Sequence, residues 1–190
     1  MQWRDNGLGF SPVTIVLHWM VAALLVAILG LEIAIAAAPD GVADAGLAEV
    51  QNLLGLVLFL VSIYRFYARI TSFHPLPVGR PDPVEVANPV EVIIGRSVAA
   101  ALALAMVLLP AAVWLSRAAG GAAVVLPGGH ALPRLIDPAP GLKAVVDTLF
   151  AIGGTAFLAG LALHLFGAWK NHVVLKTPAV QRMLGKHVEL

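Results

Sequence analysis

Two histidines of this chain stand inside long apolar runs: His18 in VLHWM and His164 in LALHLF. An ionisable side chain within a membrane span costs roughly 2.5 kcal/mol or more at the centre, so each of these needs a partner or a task. His18 follows Pro12 by six residues, roughly 9 Å along a helix at about 1.5 Å per residue. His164 precedes His172 by eight residues, roughly 12 Å on the same rise. If the two runs cross a bilayer in opposite directions, both imidazoles come to a similar depth near one face. Three chemistries fit. Two imidazoles can ligate one b-type haem iron from opposite sides, as bis-histidine sites in helical bundles do. Two histidines can act as interhelical hydrogen-bonding glue. A metal can bind without porphyrin, although no carboxylate lies at that depth. We read His18 and His164 as the axial ligands of one haem.

The remaining candidates surround that pair. Haem carries two propionates, and Arg65, Arg69, Arg96 and Lys170 stand at the same ends of their runs. Arginine pairs bidentately with carboxylate. The competing role for each is an ordinary interfacial cation that snorkels to water. Arg65 lies deepest and is the first choice, and Arg96 is also a candidate. His172, beside Lys170, is expected at the interface, where it is able to meet a propionate or a quinone carbonyl. His74, His130 and His187 are expected in solvated loops or the tail. Trp19 and Trp169 are expected near the porphyrin or at the membrane interface.

Elements that place these residues must be membrane helices. The 190 residues are 59% hydrophobic and 12% charged, against about 25% charged in a soluble domain. Four runs are long enough to cross: 12–38, 47–67, 90–115 and 144–172, about 20 apolar residues being sufficient. The expected fold is therefore all-α, one four-helix membrane domain over 1–190. Ser11 is placed to cap the first helix with Pro12 at its first position. Pro110 predicts a kink in the third. Residues 71–88 carry four prolines and are too polar to span. Residues 116–143 are Gly- and Pro-rich and read as an irregular cap. The opening MQWRDNGLGFS lacks the basic start and cleavage site of a secretory signal, so the first run is expected to be retained.

Charge sets the expected orientation. Nine of the twelve Lys and Arg residues fall on one side, namely Arg4, Arg65, Arg69, Arg80, Arg96, Lys170, Lys176, Arg182 and Lys186. Arg117, Arg134 and Lys143 fall on the other. The richer side should be cytoplasmic, which places both termini there. A net charge of +1 leaves no nucleic-acid footprint. The absence of cysteine excludes disulfides, iron–sulfur clusters and thiolate ligation of haem.

With these residues in place, the chain resembles the bacterial cytochrome b561 family, the quinone-linked four-helix b-type cytochromes that include superoxide oxidase. The resemblance covers nearly the whole length. It rests on Leu17-His18-Trp19 in the first span, and on Gln51, Gly55 and Arg65 in the second. Pro110 carries it in the third span, and Leu163-His164, Asn171-His172 and Arg182-Met183-Leu184 carry it in the fourth span and tail. Family members bind two haems. The resemblance implies that His18 and His164 are the cytoplasmic-side pair. The places of the outer pair hold Gln51 and, without gaps, Phe150, and the histidine usual early in the third span is replaced by Ala99.

One haem b is therefore expected, and a second is not. Gln51 should then hydrogen-bond a neighbouring helix, and Leu54, Leu149 and Phe150, or a lipid or quinone tail, should fill the outer half. A chain with one inner haem has no route of its own for electrons across the bilayer, which argues against superoxide oxidation at the outer face. Two functions stay open. One is electron exchange with membrane quinone, as a quinone-linked oxidoreductase or an electron carrier. The other is an accessory subunit of a larger respiratory or photosynthetic redox complex, with some or all haem lost. The lipid bilayer is a partner in either case.

Overall fold

The computed structural model describes residues 10–38, 45–71, 89–176 and 179–185. It is all-α apart from one minimal hairpin. The elements are α1 (Pro12–Ala37), α2 (Ala45–Thr71), α3 (Pro89–Ala119), β1 (Val125–Leu126), β2 (His130–Ala131) and α4 (Pro140–Trp169), with a π-helical turn (Lys170–Val174) and α5 (Ala179–Met183) after it. Each of the four long helices is long and apolar enough to cross a membrane. Their side chains are mostly uncovered: Val26, Ile33, Leu60, Leu108, Leu149 and Leu163 are among many exposed apolar residues. Such surfaces are unfavourable in water and ordinary against acyl chains. This is a multi-pass membrane protein.

Local chemistry accounts for the helix ends. The Ser11 hydroxyl accepts the Thr14 backbone N–H at 3.2 Å, and Ile15 N donates to Ser11 O at 3.1 Å. The expected cap with Pro12 at the first helical position is formed. At the far end of α3, Ala122 N reaches Arg117 O and Gly121 N reaches Ala118 O, both at 2.9 Å. Gly121 has φ of +78°. These are the paired 6→1 and 5→2 bonds of a Schellman closure, which needs a residue tolerant of left-handed backbone. Pro110 lies inside α3, which continues past it to Ala119.

Two boundaries differ from the expectation. α2 extends beyond 47–67 at both ends, because the flanking Ala45, Gly46 and Ala68 to Thr71 lengthen the helix without being apolar enough to signal a span. The stretch 116–143 is not one irregular cap. α3 occupies its first residues, α4 its last, and the centre forms an antiparallel pair with Val125 opposite Ala131 and Leu126 opposite His130. Gly128 and Gly129, at φ +84° and +77°, make the turn. The segments 39–44 and 72–88 lie outside the described residues, as do His74, His187, Arg4, Arg80 and Lys186.

The chain divides into two compact units. The first comprises residues 1–19, 64–104 and 156–190, the second 20–63 and 105–155. Each long helix contributes a segment to both. In the first unit, Leu102 and Phe157 are buried. Gly160 lies so close to Leu102 that an added Cβ would come within 3.4 Å of Leu102 Cδ2. In the second unit, Val21, Leu58, Ala118, Ala119, Val124 and Val146 are buried.

Candidate functional site

In the first unit the two span histidines meet. The rings of His18 on α1 and His164 on α4 have centroids 6.3 Å apart with an interplanar angle of 60°. Both side chains are half-buried. The helix pattern explains the meeting: each histidine lies within an apolar stretch of its helix, and turning the imidazole toward another helix keeps it out of lipid. Trp19 lies next to His18, ring centroids 5.7 Å apart and nearly perpendicular. Its indole N–H donates to Met183 O of α5 at 2.9 Å. Arg65, half-buried on α2, lies within electrostatic reach of His18.

The other sequence candidates divide. Arg96 and His172 are both exposed, His172 on the π turn. Lys170 donates to Glu91 Oε1 at 2.9 Å, tying the π turn to the start of α3. It is therefore an ion-pair partner rather than a spare cation for a propionate. The side chain of Arg69 lies outside the described residues. Trp169 is exposed and packs beside Phe166, with centroids 5.7 Å apart. His130 is exposed on β2, as expected. Among the described residues, no group of three or more His, Asp or Glu side chains could hold a bare metal ion.

One residue of this unit escaped the sequence reading. Arg182, counted there as a tail cation, is buried with 9% of its surface exposed. Its Nε has no hydrogen-bond partner among the described residues. Only the Arg182-Met183-Leu184 motif pointed to this segment, and nothing in it signalled burial.

The second unit holds a separate set of polar contacts. Gln51 Nε2 donates to Glu32 Oε2 at 2.7 Å and lies 3.5 Å from Ile28 O, so the amide reaches α1 as expected. Asn52 donates to Val125 O of the hairpin at 2.8 Å. Asp147 accepts from Ser116 and Lys143, and the Trp114 indole donates to Pro133 O at 3.1 Å. Leu149 and Phe150 do not fill this unit: they are 63% and 39% exposed. Their stretch of α4 turns them outward, while Val146 is the residue it buries.

A family profile described as prokaryotic cytochrome b561 matches residues 9–186. The chain belongs to the prokaryotic cytochrome b561 family. A search of curated proteins returns no match. Membership of the cytochrome b561 family, together with four spans, points to a membrane haem-binding electron-transfer protein whose cofactor is a b-type haem. The match includes both span histidines, Arg65, Arg96, His172 and Arg182. It also includes Gln51 and Phe150.

Proposed function

We propose that this cytochrome b561 holds one b-type haem between His18 and His164, near the cytoplasmic face of a bacterial inner membrane, and exchanges electrons with membrane quinone. The observation that carries the reading is the 6.3 Å separation of the two rings. Two metal–nitrogen bonds of about 2 Å, plus about 1.1 Å from nitrogen to ring centre at each end, require about 6.2 Å. Direct hydrogen bonding between the imidazoles would draw them closer than that, so the spacing favours a ligated atom over simple glue. Bound there, the group supplies one-electron chemistry with no free coordination position.

The residues have distinct tasks. His18 and His164 each give a ring nitrogen and must be neutral to do so. Arg65 places a positive charge within reach of His18, which favours the state with one more electron. Arg96 and His172 offer exposed donors at the ends of α3 and α4 for a propionate or a quinone carbonyl. Leu163, Leu165 and Phe166, which bracket His164, are exposed apolar residues suited to a quinone arriving through the bilayer.

The count of one rests on the second unit. Gln51 is engaged with Glu32, and Phe150 has no ligating atom. A single haem argues for electron exchange at one face and against superoxide oxidation at the other. The nine-to-three distribution of Lys and Arg supports cytoplasmic termini.

A reduced-minus-oxidised spectrum of the purified protein, with anaerobic addition of a quinol as the second step, tests the proposal. One b-type signal that a quinol reduces is expected. A protein without such a signal would instead be an accessory subunit of a redox complex.

A further inference from the structure

The buried arginine of α5 has no task in the site described above. Arg182 belongs to the same unit as His18 and His164. Arginine at a membrane face normally extends its guanidinium to water. Here the side chain is buried and Nε lacks a partner among the described residues. An uncompensated buried charge costs several kcal/mol. Among the described residues of this unit, the one carboxylate is Glu91, and Lys170 holds it. The Nε–H of this charged group therefore calls for an acceptor, best an anion, that the described residues around it do not provide.

Its surroundings indicate which anion. α5 packs against the π turn that ends α4. The residue after Arg182, Met183, accepts the indole N–H of Trp19, and Trp19 lies against His18. One chain of contacts thus runs from Arg182 through the tail to the proposed axial ligand. We infer that Arg182 holds a propionate carboxylate of the haem, and that α5 is the strap that closes the haem's edge against α1. This rests on the haem reading above. It makes the C-terminal tail part of the cofactor site, with the planar guanidinium offering two parallel N–H donors to the carboxylate.

The test compares wild type, Arg182→Gln, Arg182→Lys and the exposed control Lys176→Gln, all as full-length protein in detergent. Haem loss to an excess of a scavenging protein and the midpoint potential are measured. Arg182→Gln should lose haem roughly tenfold faster, as removal of a charge-assisted bond predicts, and its midpoint should fall. Arg182→Lys keeps the charge without the fork and should lie between, while Lys176→Gln should match wild type. Loading each protein with haem dimethyl ester, which has no free carboxylate, should abolish the difference between wild type and Arg182→Gln.

An Arg182→Gln protein with wild-type haem loss and midpoint overturns the inference and leaves the haem reading standing. So does a difference that persists with the ester. If mass spectrometry shows that Arg182→Gln sheds a bound anionic lipid while haem retention is unchanged, the partner is a lipid phosphate and the inference is wrong. A wild-type protein without haem sinks the underlying reading itself.

Discussion

Replacing either His18 or His164 with alanine should remove the b-type absorbance, because each would supply one of two axial bonds. Difference spectra of the two variants, normalised to protein, check this. Unchanged haem content in both would remove the ligand assignment. The pair was legible in the sequence because ionisable residues in apolar runs are rare and costly. That Gln51 needed a partner was legible for the same reason, since an unpaired amide in apolar surroundings costs about 1–3 kcal/mol. That the partner is Glu32 was not, because it depends on how α1 and α2 meet. Gln51→Leu should therefore leave the Glu32 carboxylate without its donor and lower stability in detergent by about 1 kcal/mol. A Gln51→Leu, Glu32→Leu double variant should recover most of that loss, as read from thermal unfolding midpoints.

The long helices were readable as elements because 20 or more apolar residues have few alternatives. The hairpin was not: strands of two residues carry no alternation to detect, and only Pro127-Gly128-Gly129 marked a turn. The burial of Arg182 was equally hidden, since α5 has five residues and its environment is made by α4 and α1. The termini of the elements offer direct tests. Ser11→Ala removes the oxygen that accepts Thr14 N–H and should cost about 1 kcal/mol. Gly121→Ala forces a side chain into left-handed backbone at φ +78° and should cost about 1–2 kcal/mol. Unfolding midpoints in one detergent check both. A Gly121→Ala protein as stable as wild type would mean that the Schellman closure contributes little to holding α3.

For the molecule as a whole, the expectation is close to one haem per chain by pyridine haemochrome assay. A value close to two would show that a second ligand pair exists, and that Gln51 and Phe150 mislead about the outer site. The proposed orientation is equally open to measurement. A reporter fused after Leu190 should be active only in its cytoplasmic form, given where most Lys and Arg residues fall. The fold class and the family could be read from composition and from a handful of spaced residues. The meeting of His18 and His164 could be expected from helix rise, whereas the approach of the tail to Trp19 depends on packing.

The π turn at Lys170–Val174 has one more consequence. Leu175 N bonds to Lys170 O, five residues back, so α4 ends with a residue more than an α-helix would need for the same advance. In the language of a helical wheel, the phase slips there. Projections at about 100° per residue hold up to Trp169, and by Val174 they are out by about one step. Deleting Val173 should thus heal the helix and leave the tail beyond it close to its present azimuth. α5 would leave in nearly the same direction, and the carbonyl of Met183 would still face the Trp19 indole.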